Sequence, residues 1–145
     1  MHSGNLIHRD VKPANILVDD NCNIKFCDFG LTRGTAAKKT HKRNLSPHMQ
    51  TRYYRAPEVV LMQHYDTKAD IWSLGCVLAE LVNTLKPVSE EERMQKKAYP
   101  FLFEGKSCYP LSPCKEALNS DNDDTNVVDQ NDQLLKILNY LGPQS

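Results

Sequence analysis

Asp10, Lys12 and Asn15 stand within one six-residue run, and Asp28 follows thirteen positions later. A carboxylate can take a proton from a hydroxyl, and a lysine ammonium offers a point charge to a phosphate. An amide oxygen and a second carboxylate are hard ligands suited to Mg²⁺, which keeps substrate phosphates in its shell. Together these are the groups that move a phosphoryl unit from a nucleotide onto a hydroxyl.

The elements that must hold them are readable nearby. Ile16-Leu17-Val18 and Ile24-Lys25-Phe26 are short β-favouring runs joined by the turn-rich Asp19-Asp20-Asn21-Cys22-Asn23. Paired as an antiparallel hairpin, they set Val18 opposite Ile24 and Ile16 opposite Phe26. Asn15 then lies opposite Cys27, one step from Asp28. Cross-strand neighbours are about 5 Å apart, so Asn15 and Asp28 can share one cation. Asp10 lies on the loop leading into the same end of the hairpin.

The ordered set His8-Arg9-Asp10-Val11-Lys12-Pro13-Ala14-Asn15, Asp28-Phe29-Gly30 and Ala56-Pro57-Glu58 resembles the C-terminal lobe of a eukaryotic protein kinase. Thr51-Arg52-Tyr53-Tyr54-Arg55 and Asp70-Ile71-Trp72-Ser73-Leu74-Gly75 extend the likeness. Lys12, two residues after Asp10, resembles the serine/threonine class. Cys27 and residues 54–58 look like the group of mitogen-activated and cyclin-dependent kinases. Residues 132–142 resemble the mitogen-activated branch.

The resemblance implies an α+β protein-kinase-like fold, here a partial, mainly helical C-terminal lobe with a short catalytic-loop hairpin and no β-rich N-terminal lobe. Asp10 would orient and deprotonate the substrate hydroxyl, and Lys12 would contact the γ-phosphate of ATP. Asn15 and Asp28 would hold Mg²⁺. Thr51 would bridge Asp10 and Lys12. Asp70 would hold the backbone of the His8-Arg9 turn, and Glu58 would await an arginine partner. Arg52 and Arg55 match the substrate platform, Arg55 being the one that favours proline after the phosphorylated residue. Ser/Thr-Pro sites on protein substrates are therefore expected.

Residues 28–58 match the activation segment. Where mitogen-activated kinases carry a Thr-x-Tyr pair, this chain has Ser46, Pro47 and His48. Arg9 and Arg33 match arginines that receive a phosphothreonine, and bidentate Arg–phosphate contacts can order such a loop. Ser46 is the expected phospho-acceptor, modified by an upstream activating kinase. Lys38, Lys39, Lys42 and Arg43 form a basic cluster beside it, read as a solvated face.

Composition fits a core of single-domain size: 145 residues, 40% hydrophobic and 25% charged. With 18 basic and 18 acidic side chains the formal net charge is zero, which gives no electrostatic ground for nucleic-acid or membrane binding. Met1-His2-Ser3-Gly4 does not open a signal peptide. Five cysteines, at 22, 27, 76, 108 and 114, lack metal-ligand spacing, and their odd number fits reduced thiols in cytoplasm or nucleus.

Beyond Glu58 the pattern predicts a helix capped by Asp70 and running to about Val82. Ile71, Trp72, Leu74, Val77, Leu78, Leu81 and Val82 wrap most of its surface, which places it at a lobe centre. A second helix is expected from Asn131 or Asp132, with Leu134, Ile137, Leu138 and Leu141 on one face and Gly142-Pro143 as its stop. Residues 83–131 read as an extended, partly disordered loop insertion in which 103–106 resemble a Phe-Pro-Gly-Lys-like segment. Ser112-Pro113 is read as a chance pair.

The chain contains no Gly-x-Gly-x-x-Gly loop and no strand lysine of the kind kinases use to anchor the triphosphate. The expectation is a partial catalytic domain of an active kinase, binding ATP weakly or not at all by itself. Two alternatives stand beside it: a non-catalytic fragment acting as a binding or decoy module, and a non-functional gene remnant.

Overall fold

The computed structural model describes residues 1–35, 52–85, 87, 89–91, 101–108 and 131–142. Ser46, Thr51, the basic cluster, Ser112, Pro113 and Cys114 lie outside the described residues.

Two small antiparallel ribbons frame the N-terminal third. β1 (Leu6–Ile7) pairs with β4 (Arg33–Gly34), setting Ile7 against Arg33. β2 (Ile16–Val18) and β3 (Ile24–Phe26) form the hairpin in the expected register, with Ile16 facing Phe26 and Val18 facing Ile24. Asp19 closes its turn: Oδ1 accepts from the amides of Asn21 (3.0 Å) and Asn23 (2.8 Å), and Oδ2 from the Asn23 side chain (2.9 Å). Those three bonds hold the Asp19 carboxyl below the usual carboxylate range.

Helices follow. α1 (Pro57–Val60) is a single turn with proline at its start, where the missing amide proton costs nothing. α2 is Lys68–Thr84. It begins earlier than Asp70, because Asp66 Oδ1 accepts from the Lys68 amide at 2.8 Å. Asp70 therefore sits in the first turn rather than capping it. α3 is Gln133–Leu141, capped by Asp132, whose carboxylate accepts from the Leu134 amide at 2.9 Å. Gly142 ends α3 at φ 77°, a conformation that favours glycine.

The core gathers Tyr54, Cys76, Val77, Phe103 and Ile137, with Trp72 stacked on Phe103 at 5.5 Å. Of the predicted insertion, residues 101–108 contribute to this core, where Phe103, Ser107 and Cys108 are buried. The α2 face turned inward is made of Ala69, Asp70, Ser73, Cys76 and Val77. This corrects the expectation of a helix buried all round, since Ile71, Leu74, Leu78, Leu81 and Val82 are exposed. On α3 only Ile137 of the expected apolar face is fully buried; Leu138 and Leu141 are exposed.

Candidate active site

The catalytic-loop run is fixed from α2. The buried Asp70 carboxylate accepts from the His8 amide through Oδ2 (2.8 Å) and from the Arg9 amide through Oδ1 (2.9 Å). His2 Nε2 reaches the same Oδ2 at 2.7 Å. These bonds hold Arg9 at φ 72°, a left-handed backbone uncommon outside glycine. That conformation turns the chain so that Asp10 follows directly after the pinned amides. His2 carries no signal in sequence; only the fold brings it to Asp70.

His8 is buried between two partners. The Asp10 amide donates to its Nδ1 at 3.3 Å, and its Nε2 lies 3.0 Å from the Cys27 carbonyl. A carbonyl can only accept, so the ring proton belongs on Nε2. One imidazole thus spans the loop carrying Asp10 and the strand end leading to Asp28.

Asp10 is buried and its Oδ2 has two donors: Lys12 Nζ at 2.8 Å and Asn15 Nδ2 at 2.9 Å. Asn15 Nδ2 also donates to the Asp10 carbonyl at 2.8 Å. Both bonds use the amide nitrogen, which leaves Asn15 Oδ1 as the atom available to a cation. The Cys27 amide donates to the Asn15 carbonyl at 3.0 Å, which extends the hairpin pairing by one step and brings Asp28 next in line. Asp28 is exposed, at φ 61°, with Oδ1 accepting from the Gly30 amide at 3.3 Å. Aspartate tolerates this left-handed geometry better than most residues. Among the described residues, no group of three His, Cys, Asp or Glu side chains could hold a metal ion. The donor set here is instead an amide oxygen plus one carboxylate, which suits a hydrated Mg²⁺ completed by phosphate oxygens.

A cavity of about 460 Å³ lies behind this loop, lined by Met1, His2, His8, Val11, Phe26 and Leu74 among others. Asp10, Asn15 and Asp28 do not line it, so it is separate from the catalytic groups.

Residues 1–139 match the family described as "Protein kinase domain". The chain belongs to the protein kinase family. Over 84 residues it is 48% identical to "Extracellular signal-regulated kinase 1" of Candida albicans (strain WO-1), which is 57% of this chain and 20% of that protein. It is 48% identical over 84 residues to "Mitogen-activated protein kinase PMK1" of Pyricularia oryzae (57% and 24%). Against "Mitogen-activated protein kinase HOG1" of Candida albicans (strain SC5314 / ATCC MYA-2876) the figure is 49% over 83 residues (57% and 20%). The matched stretch thus spans about a fifth to a quarter of these relatives.

In this kinase chain the arginines have partners of their own. Arg9 Nη1 donates to the Leu31 carbonyl at 3.4 Å, and its guanidinium lies over the Tyr65 ring, 5.7 Å from the centroid. Arg33 is exposed on β4 and donates to the Thr32 carbonyl at 2.9 Å. Arg52 donates to the Gly105 carbonyl at 3.2 Å and also to that of Lys106. Arg55, matched in sequence to the substrate platform, is 3% exposed. It hydrogen-bonds the Cys108 thiol, which burial pushes above its usual range while the arginine opposes that shift. Glu58 is half-buried in the first turn of α1 rather than deep in the core. Cys27 is half-buried as well.

Two further contacts have no sequence signal. Tyr54 OH donates to Glu80 Oε2 at 3.0 Å, and Ser73 Oγ donates to the Tyr54 carbonyl at 2.7 Å. These bonds tie the segment before Ala56-Pro57-Glu58 to α2. Burial raises the Tyr54 phenol and the Glu80 carboxyl, and pushes the Cys76 thiol up to about 12.

Proposed function

We propose that this chain is the C-terminal-lobe part of a serine/threonine protein kinase of the mitogen-activated type, which transfers the γ-phosphate of ATP to protein Ser/Thr-Pro sites. The observation that carries the reading is the shared carboxylate: Asp10 Oδ2 receives both Lys12 Nζ and Asn15 Nδ2, at 2.8 and 2.9 Å. Those bonds orient Asp10 to accept the substrate proton as the hydroxyl attacks. Lys12 then swings its ammonium between Asp10 and the transferring phosphate. Asn15 Oδ1 and the Asp28 carboxylate would hold Mg²⁺, which when bound supplies positive charge to the phosphate oxygens. Residues 28–58 serve as the activation segment, and 83–131 as an extended loop insertion. By family resemblance Thr51 would bridge Asp10 and Lys12, and Arg52 and Arg55 would support the substrate platform.

The full-length protein bearing these residues, given a Ser-Pro peptide, ATP and Mg²⁺, should phosphorylate it on serine. Asp10→Asn should lower kcat by about 10² to 10⁴-fold with little change in fold. Unchanged turnover in that variant would remove Asp10 from the role of base. An upstream kinase acting on Ser46 would order the activation segment through Arg9 and Arg33 in the cytoplasm or nucleus. Equal activity and equal protease resistance of Ser46→Ala and the parent would reject that part alone.

A further inference from the structure

We infer that Tyr65 is a positioning residue of the catalytic centre, acting through Arg9. The inference rests on the kinase reading for its meaning but on geometry for its content. Arg9 is held from the α2 side at two points. Asp70 accepts its backbone amide at 2.9 Å, and Tyr65, five residues before Asp70, presents its ring to the guanidinium at 5.7 Å. A guanidinium over a phenol face within about 6 Å is attracted by the ring quadrupole, more strongly where water is partly excluded. Both residues are half-buried.

Tyr65 can act as a fixed platform because it is itself anchored. Its ring packs on the buried cluster of Ala56, Val59 and Ala69, contributed by the Ala-Pro-Glu segment, α1 and the start of α2. The next residue, Asp66, fixes the backbone by accepting from the Lys68 amide at 2.8 Å. A flexible arginine laid on such a surface loses the freedom that would otherwise weaken its other contact.

That other contact is the Leu31 carbonyl, 3.4 Å from Arg9 Nη1. Leu31 closes the turn that Asp28 begins, and among the described residues the turn has few other restraints. Its own bonds are local: Thr32 amide to Phe29 carbonyl at 3.0 Å, and Gly30 amide to Asp28 at 3.3 Å. The Phe29 ring lies tilted against that of His8, centroids 5.3 Å apart, yet stays 53% exposed. A long hydrogen bond from a free arginine would add little. The same bond from an arginine held on Tyr65 ties the Asp28 turn to the loop carrying Asp10. The chain of contacts Tyr65, Arg9, Leu31 therefore sets the cation-binding side of the site against the proton-accepting side.

The test is amide hydrogen exchange on the full chain, compared across variants by peptide mass. Tyr65→Phe keeps the ring face and should leave exchange at Thr32 within about twofold of the parent. Tyr65→Leu keeps apolar bulk without the face and should speed Thr32 exchange by about three- to tenfold, with the Cys76 and Val77 amides unchanged. Arg9→Met should give the same local acceleration, and adding Tyr65→Leu to it should give no further increase. Equal effects of the Phe and Leu variants, no acceleration in Arg9→Met, or additive effects in the double variant each overturn the inference. If Tyr65→Leu unfolds the chain, Tyr65→Met, a flexible apolar side chain without a ring face, takes its place with the same supporting and overturning outcomes. Exchange needs no turnover, so a failed kinase assay and a failed Tyr65 test are separate results.

Discussion

Asp70 carries more of the site than any group that would touch substrate. Its two oxygens accept the His8 and Arg9 amides and reach His2 Nε2, all within 2.9 Å. Hydrogen bonds to a charged acceptor contribute about 1.5 to 3 kcal/mol each, and a donor left unpaired costs a similar amount. Asp70→Asn replaces one acceptor oxygen with an NH₂ that faces a backbone N–H. Urea unfolding should show a loss of about 2 to 3 kcal/mol. A change below half a kcal/mol would mean the turn is held by other contacts. Glu80 gives the second residue-scale expectation. Burial raises its carboxyl while the Tyr54 bond opposes the rise. A raised folded pKa means the folded state favours the protonated form, so this contribution is present below the unfolded value near 4.5 and lost as pH rises through the folded value. The parent should thus lose stability relative to Glu80→Gln as pH climbs from 4 toward neutrality. Tyr54→Phe removes the opposing bond and should move that window upward; thermal unfolding across pH reads both shifts.

Among the elements, the junction of residues 104–108 with α3 depends on close backbone approach. A Cβ on Gly105 would lie 2.6 Å from the Gln133 amide nitrogen, closer than any real contact. The Gln133 amide donates to the Ser107 carbonyl at 3.0 Å, and Ser107 Oγ donates to Asp132 at 2.7 Å. Gly105→Ala must therefore push the segment off α3, and a loss of about 1 to 3 kcal/mol is expected in urea unfolding. Asp132→Ala removes the α3 cap and also takes the acceptor from the buried Ser107 hydroxyl, so it should cost about 2 to 4 kcal/mol, with fraying read by circular dichroism. The same elements mark how far sequence reasoning reached. The β2–β3 register was legible because alternation and the Asp19 turn leave one pairing that places Val18 on Ile24. The grouping of Asp10, Lys12 and Asn15 was legible because their spacing is local to the loop entering that hairpin. The start of α2 was misplaced because Asp66 and Asp70 are both able to cap, and only Asp70's long-range bonds to His8 and Arg9 separate them. The burial of Arg55 and the seating of Phe103 on Trp72 were not legible either, since both depend on a segment without periodicity.

At the scale of the whole molecule, the distribution of apolar surface is uneven in a way that α2 explains. Its inward face is built from small or polar residues that let Tyr54 and Phe103 come close. Trp72 apart, its larger side chains point outward: Ile71 at 57%, Leu78 at 60% and Leu81 at 58% exposed, with Leu74 between them. These residues recur at alternating three- and four-residue steps, so they form one continuous stripe along the helix. Ile71 and Leu74 also line the cavity beside His8, which joins the stripe to an apolar recess. A connected patch of this kind exceeds the isolated apolar residues that folded surfaces commonly show, and patches of that size bind hydrophobic probes and favour association. The 145-residue chain should accordingly bind an anilinonaphthalene sulfonate dye and sediment as species larger than a monomer at micromolar concentration. The double variant Leu78→Lys, Leu81→Glu changes only exposed positions of α2, so its stability should stay within about 1 kcal/mol of the parent. Dye binding and the heavier species should both fall sharply in that variant. If dye binding persists at the parent level while unfolding stays cooperative, the stripe is not the surface responsible, and the cavity beside His8 remains the apolar site to examine.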